Sequence, residues 1–229
     1  MKRIVCSFTI LLVLGSLGLS NATAQDTASA PYGNKRIMVG PEFLAGPCAF
    51  IGTIPNGLKT DMRFAFETGI LSYINITPSF GFTLGLAYDG RGMNFHDQNN
   101  SSELTNTVIN YFSIQPGLKF KDFTLGVGIG IPFGGNYASE GVTAPAMASG
   151  NLNASDMNTL VELRIGGMVP IVESESGDFR FMINGSYPLT KTFGSTSALA
   201  LAQRHNPNPQ DGPVATLTAG FGYLFGVSK

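Results

Sequence analysis

The sequence is poor in charged residues, cysteine and tryptophan. Asp, Glu, Lys and Arg make up 13% of the 229 residues, about half of the ~25% that is usual in soluble proteins. Tryptophan is absent, and the two cysteines are Cys6 and Cys48. So few cysteines exclude a small secreted domain held together by disulfides. With 14 basic and 15 acidic residues, the chain has no basic excess, and we expect no nucleic-acid partner.

The first 24 residues have the pattern of a secretory signal peptide. Two basic residues precede an apolar run over residues 4–19, and the sequence Ala-Thr-Ala at 22–24 forms a small-x-small cleavage site. A transmembrane anchor is the alternative, but the run is short for one. We therefore predict a signal peptide over residues 1–24 that is cleaved, and a mature domain over residues 25–229.

Alternation with period two runs through the mature domain and predicts β-strands. After residue 24 no apolar run approaches the ~20 residues that a membrane-spanning helix requires. In the last segment, VATLTAGFGYLFGVSK, one row is Leu217, Ala219, Phe221, Tyr223 and Phe225, and the other is Thr216, Thr218, Gly220, Gly222 and Leu224. Seven further segments alternate in the same way: 35–46, 61–76, 79–95, 107–121, 122–135, 157–172 and 178–191.

The connections between the predicted strands are alternately long and short. The long ones are 47–60, 96–106, 136–156 and 192–213. The short ones are Thr77-Pro78, Lys121-Asp122 and 173–177. An even number of strands with short turns on one side and long loops on the other is typical of bacterial outer-membrane barrels. In a soluble meander, which is the alternative, loop lengths need not alternate by side.

The apolar rows are expected to face outward. They hold bulky Phe, Leu, Ile and Val in all eight segments, which are too many large groups for the narrow interior of an eight-stranded barrel. The opposite rows hold mostly Gly, Ala, Thr and Ser, and the chain lacks the charge that a soluble exterior would need. The sequence therefore predicts an all-β fold, an eight-stranded antiparallel transmembrane up-and-down β-barrel over residues 25–229. A soluble periplasmic β-barrel is the alternative.

Charged residues of the small rows are expected to pair inside the lumen, because buried charges require partners. They are Arg36, Arg63, Arg91, Lys119, Arg164 and Arg180, with Glu42, Glu67, Asp89 and Glu162. An ion path is the alternative, but the narrowness of eight strands favours a lumen filled by side chains. Aromatic residues near strand ends are expected to form the girdles at the membrane interfaces. They are Tyr73, Phe80, Tyr88, Tyr111, Phe123, Phe133, Tyr187 and Phe225.

Two segments, YINITPSFGFTLGLAYDGRGMNF at 73–95 and NYFSIQPGLKFKDFTLGVGIG at 110–130, resemble hairpins of the outer-membrane β-barrel domain family (PorT-like) common in Bacteroidetes. The last strand resembles the C-terminal signal of outer-membrane proteins, with Phe225 as its aromatic residue and four residues beyond it. The resemblance implies a porin-like fold in a Gram-negative outer membrane, contact with its lipid, and recognition by the barrel-insertion machinery. The family has no uniform activity.

Candidate catalytic residues are few. The two histidines, His96 and His205, are predicted in long loops, and His96 has Asp97, Ser101 and Ser102 nearby. A lipid A-modifying enzyme could use Ser and His, but such chemistry needs a nucleophile within reach of an oriented base. The sequence HDQNNSSE is more typical of a solvated loop tip, and two histidines fall short of a metal site. We expect no catalytic, cofactor-binding or metal site.

The sequence favours a non-catalytic outer-membrane protein with a structural, adhesive or accessory role through long extracellular loops. Cys48, predicted at the outer rim, is expected to have no reactive role. A narrow pore or permease and a lipid A-modifying outer-membrane enzyme are the alternatives. The sequence identifies neither an extracellular or periplasmic protein partner nor the conformations of the loops 136–156 and 192–213.

Overall fold

The computed structural model describes residues 37–52, 54, 57–99, 104–140, 148–193 and 212–228. They form the strands β1 (Ile37–Phe50), β2 (Leu58–Asp61), β3 (Arg63–Thr77), β4 (Phe80–Asp97), β5 (Leu104–Phe120), β6 (Phe123–Glu140), β7 (Ala148–Leu152), β8 (Leu160–Glu173), β9 (Gly177–Pro188) and β10 (Val214–Ser228). A 3₁₀ turn, Ala154–Asp156, follows β7. No helix in the described part of the chain is long and apolar enough to cross a membrane.

Eight of these strands close into a ring of antiparallel neighbours. The order is β1, β3, β4, β5, β6, β8, β9, β10 and back to β1. The seam between the first and last strands is long, because β10 pairs with β1 from Ile37–Ser228 to Phe50–Val214. Each ring strand neighbours the next one along the chain, so the predicted eight-stranded up-and-down barrel is confirmed.

The polarity of the barrel is inverted relative to a soluble protein. On β1, Phe43 is 55% exposed, whereas its neighbours Glu42 and Leu44 are 5% and 0% exposed. On β10, Phe221 is 49% exposed and Leu224 is fully buried. The outer surface therefore carries the bulky apolar rows, and the charged side chains lie inside. An apolar band on the outside of a closed ladder is the arrangement that lipid requires, which confirms the transmembrane barrel.

Three strands extend past the membrane at the end of the long connections. Strands β4, β5 and β6 contain 18, 17 and 18 residues, although ~9–11 tilted residues cross a bilayer. The short strands β2 and β7 pair with the projecting ends of β4 and β6. Both were missed by the sequence analysis, which placed them in long loops, because four or five residues show no readable alternation.

The opposite end of the barrel is made of tight turns. Pro78-Ser79, Lys121-Asp122 and residues 174–176 connect the hairpins β3–β4, β5–β6 and β8–β9. The Lys121 N–H donates to the Ser79 carbonyl across 2.8 Å and joins two of these turns. The start of β1 and the end of β10 lie at this end too. The predicted separation of short turns from long connections is confirmed.

Glycines allow the seam between β1 and β10 to close tightly. A Cβ atom on Gly40 would lie 1.8 Å from the Tyr223 carbonyl oxygen, and one on Gly220 would lie 2.0 Å from the Phe43 oxygen. Both obstacles are backbone atoms that form the ladder itself, so they cannot move aside as a flexible side chain could.

We expect Gly220→Ala to destabilise the folded barrel by about 1–3 kcal/mol, the usual range for overpacking. Equilibrium unfolding in urea, followed by circular dichroism of the detergent-solubilised protein, measures this change. Gly185→Ala on β9 is the matched control, because its Cβ would meet nothing closer than Ile165 Cγ2 at 3.6 Å. Equal losses in the two variants would contradict the steric explanation.

Candidate functional site: the charged lumen

Five charged side chains form a continuous chain of ion pairs across the lumen. Glu162 lies at its centre and is 0% exposed. Its Oε2 is 2.8 Å from Arg91 Nη1, and its Oε1 is 2.9 Å from Arg164 Nη1. Arg91 also binds Asp89, and Arg164 Nη2 binds both oxygens of Glu67 at 2.7 and 2.9 Å. We call these five residues the charged layer.

Strand alternation places these side chains in the lumen. Arg91 and Asp89 are two residues apart on β4, as are Glu162 and Arg164 on β8, so each pair shares one face. Glu67 reaches the layer from β3. The ion pairs join β8 to β4 and to β3, which are not its neighbours in the ring. Strand alternation in the sequence therefore predicts that these side chains face the lumen, but it does not predict which of them pair.

The structure describes four of the five other predicted lumenal charges. Glu42, Lys119 and Arg180 are buried, Arg63 is half-buried and donates to the Thr107 carbonyl, and Arg36 lies outside the described residues. Lys119 Nζ donates to Asn75 Oδ1 across 3.3 Å.

Arg180 forms an ion pair that the sequence analysis missed. Arg180 Nη2 binds Asp178 Oδ2 across 3.0 Å, and Asp178 is itself buried. Asp178 is the first residue of the predicted strand and directly follows a turn, yet it occupies the same inward row as Arg180. Residues two apart on a strand face the same side of the sheet, and this spacing was the signal that could have identified Asp178 as a lumenal residue.

Two clusters of buried, mostly apolar side chains lie on either side of the charged layer. The loop-end cluster consists of Cys48, Phe50, Ala65, Met93, Ile109, Tyr111, Leu152, Met157, Leu160, Phe193 and Val214. The turn-end cluster consists of Met38, Leu44, Leu71, Tyr73, Met168, Met182 and Leu224. Along β8 the inward order is Leu160, Glu162, Arg164 and Met168, so the charges lie between the two clusters.

Two tyrosines predicted in the outer girdles lie inside instead. Tyr73 and Tyr111 are each 1% exposed, and Arg91 lies over the Tyr111 ring at 5.9 Å from its centroid. Both belong to the inward row of their strand, Tyr73 near the end of β3 and Tyr111 in the middle of β5. Alternate residues of a strand face opposite sides of the sheet, and this decides where the two side chains point. Phe123, Phe133 and Phe225 do face outward as predicted.

His96 is part of strand β4 and not of a loop, contrary to the sequence-based expectation. Its Nδ1 lies 3.0 Å from Asp61 Oδ2 on β2, so Asp61 and not Asp97 is placed against the ring. Asp97 Oδ1 accepts a hydrogen bond from the Asn99 N–H across 2.6 Å. Ser101, Ser102 and His205 lie outside the described residues. The geometry therefore shows an acid–histidine pair without assigning it a nucleophile.

Cys48 lies inside the barrel and not at an exposed rim. It is 1% exposed, and its Sγ donates to the Gly92 carbonyl across 3.2 Å. Within the described ranges, no three His, Cys, Asp or Glu side chains are grouped so that they could hold a metal ion.

Comparisons with known proteins leave the family of the chain open. No protein-family model matches it, and no curated protein does. Several solved structures are similar, among them three bacterial proteins. Ail of Yersinia pestis, solved with the heparin analogue sucrose octasulfate, is 13% identical, with 82% of this chain and 97% of that chain covered and a TM-score of 0.38.

The other two structures come from Pseudomonas aeruginosa. The outer membrane protein OprG is 11% identical, with 82% and 95% of the two chains covered and a TM-score of 0.32. The N-terminal β-barrel domain of OprF is 11% identical, with 83% and 98% covered and a TM-score of 0.30. Identities this low leave function open, and the fold of this chain rests on its own strand pairing.

Proposed function

We propose that the chain is a small integral outer-membrane protein that is not an enzyme and acts through its loop end in a structural, adhesive or accessory role. The observation that carries this proposal is the lumen, where the charged layer lies between two apolar clusters. Such an interior fills the lumen with buried side chains and supports the barrel.

The loop end is the part of the molecule that a partner would meet. There β4, β5 and β6 project beyond the apolar band and carry β2 and β7. We infer that this raised sheet, with the long connections around it, contacts an extracellular protein or surface. The proposal includes export by a signal peptide over residues 1–24 and insertion by the barrel-insertion machinery. Since no family model matches, the PorT-like, Bacteroidetes-type assignment stays a prediction.

Three alternatives are less well supported. A soluble periplasmic barrel is opposed by the outward-facing apolar rows. A narrow pore or permease is opposed by the two apolar clusters. A lipid A-modifying enzyme would require a nucleophile beside the Asp61–His96 pair, and the described residues assign none to it.

Planar-bilayer recording separates the accessory role from the pore. We expect no conductance steps above background after reconstitution of the full chain, because ions would have to displace buried apolar side chains at both ends of the charged layer. A porin of known conductance, inserted in the same membranes, shows that the recording is sensitive enough. Reproducible steps that depend on the amount of inserted protein would contradict the proposal.

A further inference from the structure

A small cavity of about 50 Å³ lies between the charged layer and the turn-end cluster. Its wall includes the oxygen-bearing side chains of Thr83, Gln115, Thr124 and Asn184, together with Glu42. Gln115 Nε2 donates to Ser113 Oγ across 2.8 Å, which leaves the Gln115 carbonyl oxygen as an acceptor. The cavity thus has several side-chain oxygen atoms in its wall, beside the Arg164 guanidinium and apolar residues such as Met168 and Met182.

Glu42 supplies an unpartnered carboxylate oxygen at this cavity. Its side chain is 5% exposed, and its Oε1 has no hydrogen-bond partner among the described residues. A buried polar atom without a partner is costly to the folded state. A buried carboxylate without an ion-pair contact is costlier still. A proton on the carboxyl or an additional cation in the cavity would remove this cost.

The neighbouring cations are already engaged. Arg164 binds Glu67 and Glu162, and Arg91 binds Asp89 and Glu162. With Glu42 included, this part of the lumen contains four carboxylates and two guanidinium groups. Further toward the turns, Arg180 binds Asp178. Within the described part of the chain, Glu42 is thus the carboxylate of this group that has no ion pair.

We propose that the cavity binds a small monovalent cation, of the size of Na⁺ or K⁺, with Glu42 Oε1 as its anionic ligand. Hard cations take oxygen ligands such as carboxylates, carbonyls and water. A single carboxylate with the Arg164 guanidinium in the same wall suits one positive charge better than two. One water needs about 10–15 Å³ of such space, so the cavity has room for one ion and a few waters.

Unfolding of the full chain in detergent tests the proposal. Melting is compared in NaCl, KCl and choline chloride at one ionic strength and pH, because choline is too large for the cavity. We expect a saturable rise of the midpoint in NaCl or KCl, about 3–6 °C when the cation is at ten times its Kd. The rise should disappear in Glu42→Gln and persist in Glu175→Gln, which removes an exposed turn carboxylate.

Equal midpoints in the three salts would overturn the proposal, as would a salt-specific rise that Glu42→Gln retains. Crystals of the unaltered chain soaked with Tl⁺ give a readout that does not depend on whether a variant folds. An anomalous peak in coordination distance of Glu42 Oε1 is the expected result. A cavity that contains water alone, or that contains nothing because Glu42 is protonated, would show no such peak and would refute the cation site.

Discussion

Replacement of Glu162 by leucine is expected to destabilise the folded barrel by about 3–5 kcal/mol, the range measured when one partner of a buried ion pair is removed. Glu162 is fully buried and bridges Arg91 and Arg164. Leucine fills a similar volume, but it leaves each guanidinium without one of its counter-charges in a lumen closed by apolar clusters. The loss of stability arises more from leaving these buried guanidinium groups without a counter-charge than from the lost attraction itself.

Equilibrium unfolding in urea, with the barrel in detergent or lipid, measures the loss. Because the chain has no tryptophan, circular dichroism or tyrosine fluorescence serves as the signal. Glu173→Leu is the matched control, since Glu173 is exposed at the turn end of the same strand, and exposed substitutions usually stay within about 0.5 kcal/mol. Glu162→Gln, which keeps hydrogen-bonding atoms but loses the charge, should fall in between.

If Glu162→Leu and Glu173→Leu unfolded at the same urea concentration, the charged layer would contribute nothing to stability. Its role would then have to be sought elsewhere, for example in excluding ions from the lumen.

Much of the fold could be predicted because lipid and lumen impose opposite demands on alternate residues. The rows that contain Phe43 and Phe221 face outward as the period-two pattern requires. Pairing inside the lumen could not be predicted in the same way. Arg164 and Glu67 are separated by 97 residues, and Arg91 and Glu162 by 71, so their contact depends on the closure of the ring and on side-chain length.

A residue's position near the end of a strand is a weaker guide to its direction than the inward or outward row to which it belongs. Tyr73 stands near the end of β3 and was therefore assigned to a girdle, yet it shares the inward row with Glu67 and Leu71. His96 was assigned to a loop because the polar residues around it hide the continuation of β4. Polar strands that project beyond the membrane lose the apolar row that marks a strand in the sequence.

Substitution of Ile183 by arginine is the direct test of the membrane placement, and we expect it to destabilise the barrel in lipid by about 2–4 kcal/mol. Ile183 is 47% exposed on the outer surface. It lies near the middle of the outward row of β9, between Phe179 toward the turns and Tyr187 toward the loops. At this depth the guanidinium cannot reach either interface without distorting the bilayer.

Val227→Arg is the matched control, because Val227 is also an exposed β-branched aliphatic residue, 63% exposed, but lies at the turn-side end of β10. There the charge can reach water, and the expected loss is about 0–1 kcal/mol. Urea unfolding from lipid vesicles compares the two variants. In a water-soluble barrel Ile183 would already face solvent, and arginine would be tolerated at both positions. Equal, small losses would therefore overturn the transmembrane assignment, whereas a loss confined to Ile183 follows from a low-dielectric environment around the middle of the barrel.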